Sequence, residues 1–121
     1  MNVTGVDFTI MPITNFEQSK KFYGEVLGLE KSKQWGEMPA QEYETGSLTI
    51  AIAEPEAIGQ EFSPQRFPLA LHVDDVEASR KELESKGVTF FGDSMDSGVC
   101  NMAFFSDPDG NALMLHGRYA D

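Results

Sequence analysis

The chain has 121 residues, with 20 Asp and Glu against 9 Lys and Arg and a formal net charge of −11. That length suits one domain able to bury a sizeable core, and a content of 40% hydrophobic and 24% charged residues is ordinary for a globular protein. A surface so acidic repels phosphate backbones, which argues against nucleic acid as a partner and leaves two uses for the charge, solubility or an acidic cleft that draws in cations. No apolar run approaches the roughly 18 residues of a membrane span. The opening Met1-Asn2-Val3-Thr4-Gly5-Val6-Asp7 has neither a basic segment nor an apolar core of the signal-peptide kind, so a cytoplasmic location is expected. Cys100 is the single cysteine, which excludes an internal disulfide and a multi-cysteine metal cluster.

In chain order, Val3 to Pro12 reads as a first strand, apolar and rich in β-branched residues. Asn15 is a helix cap with Gln18 as its partner three residues on, and the helix runs to about Leu27, where Gly28 supplies the stop. Phe16, Tyr23, Val26 and Leu27 form its inner stripe. Leu29 to Trp35 is a second strand, and Glu42–Thr45 with Leu48–Ala53 make a hairpin around Gly46-Ser47. A stretch without periodicity follows, punctuated by Pro55, Gly59, Pro64 and Pro68, and the chain divides there into a first module of about 1–54, a linker of about 55–66 and a second module of about 67–121. Leu69 to Val73 is the next strand. Asp74 or Asp75 caps a helix from about Val76 to Lys86, and Gly87 ends it. Val88–Phe91, Val99–Phe105 and Ala112–His116 are three more strands, the last two joined by the turn Asp107-Pro108-Asp109-Gly110. In that turn the two carboxylates are placed to accept backbone N–H bonds, a structural task.

Each half thus reads strand, helix, three strands. Shifted by 60 positions the halves also match in residue type: Asn15 on Asp75, Phe16 on Val76, Glu17 on Glu77, Ser19 on Ser79, Lys21 on Lys81 and Tyr23 on Leu83. Six matches in one short window, cap included, indicate an internal repeat. The expected fold class is therefore α+β, with two βαβββ modules forming a curved mixed sheet around a concave cavity. The modules pair within one chain or exchange with a second copy, and a homodimer is expected.

Phe22-Tyr23-Gly24-Glu25-Val26-Leu27-Gly28-Leu29 resembles the signature of the vicinal oxygen chelate superfamily, the group of glyoxalase I, extradiol dioxygenases and bleomycin-resistance proteins. Val73-Asp74-Asp75-Val76 and Asp107-Pro108-Asp109-Gly110-Asn111 resemble its two other hallmarks, and the match runs the length of the chain. The resemblance implies a metal held by His, Glu or Gln on the first and last strands of each module. Those positions fall here on Phe8, Ala51, Pro68 and Met114. Phe8 and Ala51 carry no donor, Pro68 lacks even its N–H, and Met114 offers a weak thioether. No cofactor is expected, with a relocated divalent metal as the alternative.

The inward positions the resemblance implies give an apolar basin of Phe8, Ile10, Ala51, Pro68, Ala70, His72, Cys100, Met102, Phe104, Met114 and His116, with Trp35 at its edge, and apolar walls with few polar anchors are typical of small-molecule pockets. His72 and His116 are the only histidines. Three roles are open to them: hydrogen-bonded rim residues, substrate partners or general bases, or metal ligands in want of a third donor. Cys100 reads as a small buried hydrophobe. Trp35, Tyr43, Phe62 and Phe67 read as packing residues or as a stacking wall for a flat or cationic ligand, with Glu42 and Glu44 among the surrounding carboxylates. Two functions stand side by side. One is a binder of a small molecule, cationic or aromatic, without the usual metal, like the bleomycin-resistance branch. The other is a lyase- or dioxygenase-like enzyme using His72, His116 or a relocated metal.

Overall fold

A computed structural model describes all residues, 1–121. The chain divides into two units, Met1–Pro64 and Gln65–Asp121. In the first, strand β1 (Thr9–Pro12) leads to helix α1 (Phe16–Lys21), followed by β2 (Glu30–Gln34), β3 (Ala40–Glu44) and β4 (Thr49–Ala53). In the second, β5 (Leu69–His72) leads to α2 (Val76–Ser85), then β6 (Met95–Asp96), β7 (Cys100–Ser106) and β8 (Ala112–Arg118). The two sheets have the same order, β1-β4-β3-β2 and β5-β8-β7-β6, each with one parallel pair and two antiparallel ones. This is an α+β fold of two βαβββ modules.

The repeat extends to the backbone. Asn15 and Asp75 adopt the same extended conformation, φ −137° and −135°, and each side chain accepts a hydrogen bond at 3.0 Å from the N–H three residues on, Gln18 and Ala78. Each cap satisfies one of the orphan donors that open a helix. Gly28 and Gly87 end the two helical segments with φ +72° and +92°, which only glycine adopts without strain.

Three expectations are corrected. The first strand starts at Thr9, and residues 3–8 lie outside it, because β4 begins at Thr49 and the pairing ends at Thr9 opposite Ile50. Beyond Lys21 the first helix widens into a π-turn over Phe22–Val26, with the Leu27 N–H donating to the Phe22 carbonyl. The wider turn shifts the inner face: Ser19, Phe22 and Tyr23 are buried, whereas Phe16, Val26 and Leu27 are only partly so. Gly24 in this turn lies against the Tyr43 ring; a Cβ there would be in ordinary contact with it at 3.4 Å. The segment 88–91 is not a strand and makes a single bridge, Phe90 to Phe105. After it the Arg80 guanidinium donates to the Gly92 carbonyl and to Ser94 Oγ while covering the Phe90 ring, so this backbone is tied to α2 instead of a ladder. A short 3₁₀ turn, Pro55–Ile58, occupies part of the expected linker.

Burial alternates along β7 and most of β8 as a half-covered sheet requires, whereas the central strand β4 is buried on both faces from Ile50 to Ala53. In the first module Met11, Gln41, Tyr43, Ile50 and Ile52 are buried on the helix side. In the second, Ala103, Phe105, Leu113 and Leu115 are buried on that side, with Val76 and Leu83 of α2. The opposite face of each sheet carries the candidate functional residues.

The turn before β8 is the tightest polar feature. Asp107 and Asn111 are buried. Asp107 Oδ1 accepts from the N–H groups of Asp109 and Asn111, at 3.0 and 2.9 Å, and Oδ2 accepts from Asn111 Nδ2 at 2.7 Å. Asn111 Oδ1 in turn accepts from the Gln65 N–H at 2.8 Å. The carboxylate is used up as a backbone clamp, the structural role expected of it.

Candidate functional site

The open face of the first sheet is built on three strands. The register sets Ile10 beside Ala51 and Ala51 beside Glu42, and in the next row Pro12, Ala53 and Ala40 stand together. Small side chains at Ala51 and Ala53 leave a low floor. Phe8, just before β1, and Trp35, just after β2, come from opposite edges of the sheet. Their rings nonetheless meet edge-to-face, with centroids 5.3 Å apart, so the pair reaches across the open face, and Ala51 has no exposed surface. The Trp35 indole N–H donates to Glu42 Oε2 at 2.6 Å. Glu44, two residues on and on the same face, accepts from Ser32 Oγ and Thr49 Oγ1, and these two hydroxyls hold its carboxyl below the usual carboxylate range. The face therefore offers two aromatic rings over a buried alanine floor, with two carboxylates beside them, one of them held ionised. Tyr43, considered above as part of a stacking wall, lies on the helix side instead. It is buried, its hydroxyl donates to the Lys20 carbonyl at 3.4 Å, and burial pushes its pKa up. Phe67 is 90% exposed and Phe62 39%, without a ring partner.

The open face of the second sheet carries Ala70, His72, Met102, Phe104, Met114 and His116. One row across it holds Ala70, Met114 and Phe104; the next holds His72, His116, Met102 and Met95. The sequence offered both histidines as inward-facing residues of the basin. The structure makes them direct neighbours on adjacent parallel strands of one sheet. His72 Nε2 lies 3.3 Å from Asp74 Oδ1. Cys100 pairs with Arg118 at the far end of this face and is buried, free, and 6% exposed. Pro68 precedes β5 and is partly buried.

No three His, Cys, Asp or Glu side chains gather in a way that could hold a metal. The four positions that the family resemblance assigns to ligands carry a phenyl ring, a methyl group, a proline ring and a thioether, and this set does not fit a hard divalent ion.

A further cleft of about 280 Å³ opens where α2 begins, lined by His72, Asp74, Asp75, Glu77, Asn101, Arg118 and Tyr119, with Val73, Val76 and Gly117 between them. The sequence reading missed it, because Asn101, Arg118 and Tyr119 are brought to the helix start only by the β7–β8 register. Near it, Tyr119 Oη donates to Asp96 Oδ1 at 2.6 Å, which raises the Tyr119 pKa and, with the Gly98 N–H, lowers that of Asp96.

These two modules define a protein of the glyoxalase-like class. The family model of the Glyoxalase/Bleomycin resistance protein/Dioxygenase superfamily matches residues 5–115, and the chain belongs to that superfamily. Among solved structures, TnmS3, an antibiotic binding protein from Streptomyces sp. CB03234, is 25% identical with a TM-score of 0.81, covering 98% of each chain. A superfamily member from Sphaerobacter thermophilus is 24% identical with a TM-score of 0.82, over 96% of this chain and 98% of that one. Lactoylglutathione lyase from Agrobacterium tumefaciens shares the fold at 14% identity, with a TM-score of 0.79 over 96% and 95%. No curated protein matches the chain. No helix is long and apolar enough to cross a membrane.

Proposed function

We propose that this protein binds a small cationic aromatic molecule on the open face of its first sheet, without a metal at the family's usual positions. The observation that carries the reading is the Phe8–Trp35 pair lying across an alanine floor with Glu42 hydrogen-bonded to the indole. A flat ligand stacks on such rings, and a cation is held by the ring faces together with the Glu42 and Glu44 carboxylates. The net charge of −11 adds a long-range attraction for cations. The likeness to an antibiotic binding protein supports a binding role. We take the active form to be a homodimer, with exposed Phe67 and Phe91 as surface that a second copy would cover; sedimentation equilibrium checks this.

Trp35 is the only tryptophan, so its fluorescence reports binding directly. Titration with planar cationic drugs and their neutral isosteres is expected to give saturable quenching by the cations alone. Glu42→Gln is expected to weaken binding about tenfold, on the order of 1.4 kcal/mol for one desolvated charge contact. Equal affinity for charged and neutral isosteres, or no quenching by any of them, refutes the reading.

The adjacent imidazoles of His72 and His116 favour a second reading, an enzyme using one of them as general acid or base. Turnover of an α-oxo thiol adduct or a catechol, lost in His116→Ala, would establish it. Absence of turnover leaves the binding role.

A further inference from the structure

The row His72, His116, Met102 of the second sheet is a set of donors without an assigned task. The two imidazoles are side by side because β5 and β8 are parallel partners in register, and Met102 faces His116 from β7. Neighbouring strands lie about 4.8 Å apart, so both outer side chains can reach a point above His116. Met114 stands two residues before His116 on the same face. None of these side chains is buried: His72 is exposed, and Met102, Met114 and His116 are partly so. The Asp74 carboxylate beside His72 Nε2 favours the tautomer that carries the proton there and leaves Nδ1 with its lone pair. A carboxylate partner of this kind is the usual support of a metal-binding imidazole.

The donor chemistry selects the ion. A hard divalent ion needs a third oxygen, nitrogen or thiolate ligand, and none is gathered here. The third donor that the row does supply is a thioether, which is soft and prefers monovalent copper, while imidazole serves copper well. We propose that the open face of the second sheet binds one Cu(I), or its redox-silent analogue Ag(I), through His72, His116 and Met102, with Met114 at hand as a fourth donor. Its three principal donors lie one row along from Met114, the family's ligand position on β8, and on a different module from the Phe8–Trp35 pair, so the proposal is tested independently of the binding role proposed above.

The test is an anaerobic competition of the whole protein against a chromophoric Cu(I) chelator, run with wild type, His72→Ala, His116→Ala, Met102→Leu and Cys100→Ser. Met102→Leu keeps the apolar volume and removes only the sulfur. The expected result is one Cu(I) withdrawn per chain. Affinity falls roughly tenfold or more in both histidine variants and in Met102→Leu, and it is unchanged in Cys100→Ser. With Ag(I), the ε-methyl NMR signal of Met102 shifts while those of Met11 and Met38 in the first module stay in place. Three results overturn the proposal: no copper withdrawn, copper held as tightly by Met102→Leu as by wild type, or copper lost in Cys100→Ser. Zn(II) bound as tightly as Cu(I) overturns it as well, since a thioether site discriminates against zinc.

Discussion

Removing the Asn111 side chain tests the claim that the Asp107 turn is a structural clamp. In Asn111→Ala the Asp107 carboxylate loses its Nδ2 donor at 2.7 Å and the Gln65 N–H loses its acceptor at 2.8 Å. The first is a charge-assisted bond to a buried group, worth about 1.5–3 kcal/mol. The second is a neutral bond whose donor water can partly serve, worth about 0.5–1.5 kcal/mol. Together they predict a loss of roughly 2–4 kcal/mol, a large share of the ~5–15 kcal/mol that holds a domain folded. Urea unfolding followed by circular dichroism is the assay. The midpoint falls while the slope stays constant, because the surface exposed on unfolding is unchanged. Asn111→Asp is nearly isosteric and is expected to lose at least as much, since it sets a second carboxylate against Asp107. A loss below about 1 kcal/mol in both variants would show that the buried carboxylate does not depend on Asn111, and the clamp reading fails.

Two further predictions follow from close approaches and from the exposed acid–phenol pair. A Cβ at Gly117 would lie 3.0 Å from the Val73 carbonyl oxygen, so Gly117→Ala forces β8 away from the start of α2 and costs about 1–3 kcal/mol by the same urea assay. Tyr119 titrates above the ordinary phenol range through its bond to Asp96. The stability it contributes is complete below that range and is lost as pH rises through the folded-state value. Asp96 is shifted down, so its contribution is present above the ordinary carboxylate range and lost as pH falls through the lowered value. Ultraviolet titration of Asp96→Asn is expected to show one tyrosine ionising at lower pH than in wild type; an unchanged curve removes the pair as the cause.

Local signals carried the fold. The caps at Asn15 and Asp75, the glycine stops and the Asp107 turn are decided within a few residues, and the sequence shows them directly. What escaped it depends on partners distant in the chain. Val3 and Val6 have strand propensity, but a strand extends only as far as its neighbour, and β4 ends the ladder at Thr9. Val88 to Phe91 is apolar enough for a strand, yet Arg80 takes the Gly92 carbonyl and the ladder does not form. The π-turn follows from no periodicity visible in Phe22–Val26. At the candidate site, parity along single strands grouped Thr49, Ala51 and Ala53 on one face, but it did not bring Glu42 of β3 beside Ala51. Phe8 and Trp35 meet although β1 and β2 are opposite edges of one sheet, and that His72 stands beside His116 follows from a parallel register. Neither strand order nor register is written in a single strand.

The repeat allows the two faces to be compared position by position. Ile10, Ala51 and Glu42 form the row equivalent to Ala70, Met114 and Phe104; Pro12, Ala53 and Ala40 form the row equivalent to His72, His116 and Met102. Ala51 and Met114, at positions the family resemblance assigns to ligands, sit at the centres of the first pair of rows, and neither brings an oxygen or nitrogen donor to its row. In the first module the polar capacity lies to one side, on Glu42 and Glu44 of β3, with Glu42 bonded to Trp35. In the second it lies one row along, in the two imidazoles. A sheet fixes side-chain position by register alone, so exchanging a few residues changes the chemistry of a face without disturbing the helix side that holds the fold. The two proposals assign the faces different ligands, an organic cation on one and a soft metal ion on the other. Glu42→Gln and Met102→Leu, which alter one face each, should separate the two activities completely.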